Sequence, residues 1–397
     1  MKHYSRPSWS RPGGARARTA AIAVAAAGVT AVTVAGSAPT DAARHLVDPS
    51  PPGTSSVIQR LSNTQLAGQR VIYSYSGLVP PPALLRAIRR GQAAGVIFFA
   101  GNISGPAQLA AVSRQLQRAD ASRRNPLRAP LLLMTDQEGG VVRRLPGPPY
   151  LSEKQIGQAA HPAAQARLAG AGAAANLRGT GLNVNLAPVL DVYAAAGNFI
   201  DQYGRSYSRH PGQVAALGAD FIRAQQGGGV AAAAKHFPGL GAAARSQDTD
   251  LRPVTLPVPA AALRRVDERP YRAAIAARVK LVMVSWAVYP ALDPGRPAGL
   301  SPLVVQGELR QRLGFGGVTI TDGLEAGALR RYGTIARRGQ QAALAGMDLL
   351  LCSGHSVGEG QRAVAGLARA YRDGLVSRAS GVAAVARIAS LRRSLGK

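Results

Sequence analysis

The stretch 230–241, "VAAAAKHFPGLG", decides how this chain is read. It starts as a run of small apolar residues, which suits a strand buried on both faces. It ends on Lys235, His236 and Phe237, followed by Pro238 and two glycines. Charge confined to the C-terminal end of a buried strand is what a parallel sheet with a ligand site at that end requires. Seven other short apolar runs close in a similar way. They are "VIYSYSG" (71–77), "GVIFFAGN" (95–102), "LLLMTDQEGG" (131–140), "LNVNLAPVLDV" (182–192), "LVMVSWAVYP" (281–290), "GVTITDG" (317–323) and "MDLLLCSG" (347–354).

Longer alanine-, leucine- and arginine-rich stretches of helical period separate these runs. The two clearest, "PPALLRAIRRGQAAG" and "QRAVAGLARAYRDGL", predict helices that stop near a glycine. Eight strands alternating with helices predict an α/β fold of the (β/α)8 TIM barrel type, a single domain over residues 57–397. A doubly wound open sheet would place a glycine-rich phosphate turn after its first strand, and "VIYSYSG" leads into none.

The length of 397 residues and the 46% hydrophobic share fit one barrel with its own core. Residues 1–43 carry a basic head, an apolar run from Ala20 to Ala35 and then small residues. That pattern predicts an export signal or, if uncleaved, an N-terminal membrane anchor, and hence an extracellular or wall-associated protein. Residues 44–56, with "DPSPPGTSS", read as a linker. The single cysteine, Cys352, cannot form an internal disulfide and reads as a buried strand residue.

The net charge of +28 invites a nucleic-acid reading, which the distribution argues against. Residues 1–44 hold six cations against one anion, so a net of +23 remains for the rest of the chain. That charge is spread as separate pairs such as Arg89–Arg90, Arg123–Arg124, Arg264–Arg265 and Arg337–Arg338, with few aromatics for base stacking. Loose, salt-sensitive attraction to anionic wall polymers or a membrane surface is expected instead. The six histidines and one cysteine show no ligand spacing, so neither a metal nor another cofactor is expected. The expected state is a monomer.

In a parallel barrel the strand C-termini share one mouth. Asp136 and Gln137 close the third run, Asp191 the fourth, Lys235 and His236 the fifth, and Asp322 the seventh. One charged strand end could be a helix cap; four converging at one mouth point to a site.

The motifs "TDQEGGVVRRLPG", "LNVNLAPVLDV", "GRSYS", "KHFPGLG", "YPALDP" and "LGFGGVTITDGLEAGAL", in that order, resemble the N-terminal barrel of family 3 glycoside hydrolases. The nearest branch is the bacterial β-N-acetylglucosaminidases that trim peptidoglycan fragments, and the resemblance covers about residues 57–397. It implies an exported retaining glycosidase whose partner is a carbohydrate substrate, a β-linked sugar such as N-acetylglucosamine in cell-wall glycan. It makes Asp322 the covalent nucleophile, Lys235 and His236 a clamp on the sugar hydroxyls, and Asp136 an acceptor from two hydroxyls. Arg144 and Arg205 would complete the subsite for the non-reducing end. Glu138 and Asp191 fit either a structural or a functional role. A strand-end lysine also admits a Schiff-base reading, which the adjoining His236 and "FPG" disfavour.

The chain departs from that family in the loop after "KHFPG", which usually carries an Asp-Ser-His dyad whose histidine moves the proton. Gapless alignment of "KHFPGLGAAARSQDTDLRP" sets Ser246 at the dyad aspartate and Asp248 at the histidine. The histidine that often follows "KHFPG" is Leu240, and another from the sixth strand is Trp286. Three arrangements stay open. Asp248, the residue assigned here, or Asp250 acts as a carboxylate acid/base raised by burial. Alternatively an acid comes from another loop, or the donor is missing and the barrel only binds wall glycan.

Overall fold

The computed structural model describes residues 52–396. The stretch read as the leader, 1–43, and most of the linker lie outside the described residues; at the linker's end, Pro52–Gln59 is helical. Eight strands follow: β1 (Val71–Tyr73), β2 (Gly95–Ile97), β3 (Leu132–Thr135), β4 (Val184–Asn185), β5 (Ala231–Phe237), β6 (Leu281–Val284), β7 (Val318–Gly323) and β8 (Leu349–Leu351). They form a closed barrel in chain order, each pairing parallel with the next and β8 with β1. The expected (β/α)8 barrel is therefore the observed fold, one strand from each apolar run.

Strand alternation sorts the core into two layers. Ile72, Ile97, Leu132, Met134, Ala231, Ala233, Met283 and Ile320 fill the barrel interior. Val71, Tyr73, Val96, Leu133, Ala232, Ala234, Val282 and Leu350 belong to the outer cluster, under the helices. The helices after β1 to β4, Pro82–Arg89, Pro106–Asp120, Pro162–Gly179 and Pro211–Gly227, all begin at proline. Its fixed φ and missing N–H suit the first turn. The second predicted helix is Val357–Arg372. Cys352 is buried directly after β8.

Two apolar runs are longer than the strands they contain. In 131–140, β3 stops at Thr135 and Gln137–Gly139 pairs antiparallel with Val142–Arg143. In 281–290, β6 stops at Val284 and Val288–Tyr289 pairs antiparallel with Asp293–Pro297. Both hairpins continue past the C-terminal ends of the strands.

The opposite end is closed by the last helix, Arg378–Ser394, whose Ile388 and Leu391 join the interior cluster. Fully buried Arg392 donates to Asp120 Oδ2 at 3.1 Å and to the Pro130 carbonyl at 2.7 Å, and also to the Gln69 side chain and the Ala129 carbonyl. Asp348, fully buried before β8, accepts from Arg310 at 2.6 Å, Arg387 at 2.8 Å and the Thr319 N–H at 2.9 Å. With this end sealed, access to the interior lies at the strand C-termini.

Candidate active site

Extended backbone sends alternate side chains to opposite faces, so Asp136 and Glu138 point the same way and Gln137 the other. Gln137 is structural. Its Oε1 accepts the Arg144 and Leu145 N–H groups, each at 3.0 Å, and its Nε2 donates to the Leu145 and Pro148 carbonyls. Asp136 and Glu138 instead meet Lys235 from β5. The Lys235 Nζ lies 2.8 Å from Asp136 Oδ1 and 2.6 Å from Glu138 Oε1. Arg205 completes the group with a two-pronged bond to Glu138, Nε to Oε2 at 2.9 Å and Nη2 to Oε1 at 2.8 Å. The Arg144 Nη2 stands 4.0 Å from Asp136 Oδ2, and its buried Nε has no hydrogen-bond partner.

The charges on this wall answer one another. Burial works against the Glu138 carboxylate, but the charges and hydrogen bonds of Arg205 and Lys235 outweigh it and hold the group well below the usual range. Burial likewise opposes the Lys235 ammonium, and Asp136 and Glu138 override it, so the lysine is held charged. His236 is fixed by Asp191, whose Oδ2 is 2.8 Å from Nδ1 and whose Oδ1 accepts the His236 and Leu240 N–H groups. With Nδ1 bound to the carboxylate, Nε2 is the ring atom left for a ligand.

The facing wall comes from β7 and from the loop after β5. The Asp322 Oδ1 accepts the Gly323 N–H at 2.8 Å. A Cβ at Gly323 would lie 2.6 Å from Ser353 Oγ and 2.7 Å from Glu325 Oε1, so a larger residue would push both side chains aside. Burial pushes the Asp322 carboxyl upward, against the pull of His236, the Gly323 N–H and Lys235, and Glu325 adds to the rise. Trp286, fully buried, donates its indole N–H to the Gly323 carbonyl at 2.8 Å. A family histidine position is thus filled by a brace for the end of β7.

All seven residues singled out from the sequence, Asp136, Arg144, Arg205, Lys235, His236, Asp248 and Asp322, line one cavity of about 440 Å³. Glu138, left undecided by the sequence, lines it too, whereas Asp191 acts from behind through His236. The sequence reading missed Glu325, Phe99 and His355 in the lining. His355 has φ of +56°, uncommon for a residue with a side chain, and its ring centroid lies 4.4 Å from that of Phe99. Glu325 follows the "TITDG" strand end by two residues, which was the available signal. Among the described residues no group of three or more His, Cys, Asp or Glu is arranged to hold a metal ion, and no helix is long and apolar enough to cross a membrane.

The chain is similar to known glycosyl hydrolases. Residues 82–391 match the model of the glycosyl hydrolase family 3 N-terminal domain. An uncharacterized secreted glycosyl hydrolase of Arthroderma benhamiae is 44% identical over 311 residues, 78% of this chain and 88% of that protein. A β-hexosaminidase of Nitrosomonas eutropha is 35% identical over 65% of this chain and 72% of its own. Among solved structures, the family 3 β-N-acetylglucosaminidase of a Paenibacillus species superposes with a TM-score of 0.78 at 35% identity. The match covers 85% of this chain and only 64% of that longer one. The β-N-acetylhexosaminidase of Beutenbergia cavernae gives a TM-score of 0.75 at 30% identity, over 84% of this chain and 98% of its own. With the barrel, the cavity and the family motifs in one place, this chain belongs to glycosyl hydrolase family 3.

Proposed function

We propose that the protein is an exported retaining hydrolase that releases a β-linked N-acetylhexosamine from cell-wall glycan through an ester between the sugar and Asp322. One observation carries this reading: Asp322 shares a cavity with Lys235, His236, Asp136, Arg144 and Arg205. The paired wall suits a sugar ring. Asp136 accepts from hydroxyls, while Lys235, the Arg144 guanidinium and the free nitrogen of His236 contact sugar oxygens. A pyranose gripped there presents its anomeric carbon to Asp322, whose oxygen forms the C1–O bond as the glycosidic bond breaks.

Relatives named as β-hexosaminidases support the sugar, and the basic, apolar leader supports export. Release of nitrophenol from an aryl N-acetyl-β-glucosaminide tests the activity. Asp322→Ala should lower it by about 10⁴-fold with little change in melting temperature. Intact-mass measurement after a 5-fluoro sugar should find the adduct on Asp322. Equal activity of the two proteins, or an adduct elsewhere, would overturn the proposal.

A further inference from the structure

Retention needs a second group that gives a proton to the leaving oxygen and later takes one from water. Four carboxylates line the wall in question: Asp322, Asp248, Asp250 and Glu325. Three are engaged. Asp322 accepts the Gly323 N–H at 2.8 Å. Glu325 accepts the Ser353 hydroxyl at 2.5 Å on one oxygen and the Ser353 N–H at 3.2 Å on the other. Asp248 accepts the Asp250 N–H at 2.9 Å. The Asp250 carboxylate has no hydrogen bond or ion pair to any other described residue and stands solvent-exposed at the mouth, open to a leaving group and to water.

We infer that Asp250 is the general acid/base of this site and that Asp248 positions it, an assignment that rests on Asp322 being the nucleophile. The placement is built into the backbone. The Asp250 carbonyl accepts the Gly327 N–H at 2.7 Å, and the Thr249 carbonyl accepts the Ala328 N–H at 3.0 Å. A Cβ on residue 327 would lie 2.2 Å from the Leu251 carbonyl oxygen, so glycine permits the approach. The loop bearing Asp250 is thereby pinned to the segment that follows the nucleophile. Acid and nucleophile are held as one unit.

The electrostatics suit both halves of the cycle. Crowding by protein atoms, then the charges of Asp322, Asp248 and Glu325, push the Asp250 carboxyl up to about 7, with Arg205 opposing. Its solvent contact tempers the burial effect. In the first half, the Asp322 oxygen bonds to C1, the C1–O bond to the leaving group breaks, and the Asp250 proton moves to that oxygen. The ester has no charge, so the upward push on Asp250 weakens and the group stays ionised. In the second half Asp250 takes a proton from water, the water oxygen bonds to C1, and the C1–O bond to Asp322 breaks. One water is consumed and both carboxyls are restored.

The test compares the full chain with Asp250→Ala on two substrates, diacetylchitobiose, whose leaving sugar needs a proton, and a dinitrophenyl N-acetyl-β-glucosaminide, whose leaving group does not. Loss on diacetylchitobiose should be about 10³-fold. On the aryl glycoside, formation of the ester should persist and azide should restore turnover as the β-glycosyl azide. The basic limb of the pH profile should vanish. Asp248→Ala should move that limb and cost about tenfold, with Asp248→Asn restoring most of it. Equal losses on both substrates without azide rescue, or the rescue signature on Asp248→Ala or Glu325→Ala instead, would overturn the assignment. A fully active Asp322→Ala would mean that the underlying assignment of Asp322 as nucleophile has failed.

Discussion

The two ends of the barrel use the same residue types to opposite effect. At the sealed end, Asp348 takes donors from Arg310, Arg387 and Thr319, and Arg392 spends its guanidinium on Asp120 and carbonyls around it. Charge there completes the fold. At the open end, one wall pairs Lys235 and Arg205 with Asp136 and Glu138, while the other gathers Asp322, Asp248, Asp250 and Glu325 with no cation among the described residues bonded to any of them. Among the described residues, the Asp250 carboxylate has no hydrogen-bond partner and faces the cavity. The contrast shows that burial of charge alone marks nothing; carboxylates gathered on one cavity without a bonded cation, opposite a wall of paired charges, mark the site.

Substitutions can break that contrast. Asp348→Ala strands Arg310 and Arg387 without their shared carboxylate, which should cost roughly 3–5 kcal/mol and lower the melting temperature by about 5–10 °C. The folded fraction should keep its kcat. A lower kcat at unchanged folded fraction would join the two ends functionally. Glu138→Gln removes the partner of both Lys235 and Arg205 and should reduce kcat/KM by about 10- to 100-fold. Because those cations hold Glu138 ionised, the ratio of mutant to parent rates should be the same at pH 5 and pH 8. A ratio that changes across this range would show that Glu138 titrates.

The smallest effect concerns Asp267, a buried carboxyl near Asp191. Burial, then the Asp191 charge, push it up to about 8. A carboxyl raised in the folded state contributes stability below its unfolded value near 4 and loses it as pH rises through 8. Asp267→Asn should remove that loss. Its melting temperature relative to the parent should rise by a few degrees between pH 5 and 8 and then level off, as calorimetry would show. A difference independent of pH would mean that the carboxyl is already ionised at pH 5.

The fold was legible because each barrel strand is a buried apolar run with its polar residues gathered at one end. Strand limits were less so. In "LVMVSWAVYP" the apolar character runs on because Trp286 and Tyr289 are buried above β6, in the turn and hairpin rather than in the barrel. The site was legible where a strand ends, as with Asp136, Lys235 and Asp322. Glu138 escaped a firm reading because its role depends on a hairpin that prolongs the alternation of β3, and on Arg205, which is 67 positions away. Gapless alignment favours Asp248 over Asp250. Only the bond from the Asp250 N–H to Asp248 shows which carboxylate remains free.

Trp286 also gives the protein a built-in optical probe. The sequence has two tryptophans, Trp9, in the stretch read as an export signal, and Trp286, so a protein lacking that stretch has a single tryptophan. That indole is shielded from solvent and bonded to the carbonyl of Gly323, next to Asp322, the proposed nucleophile. Any event that shifts the end of β7, whether a sugar settling in place or an ester forming, alters the surroundings of one fluorophore, so intrinsic emission can follow single turnovers without a label.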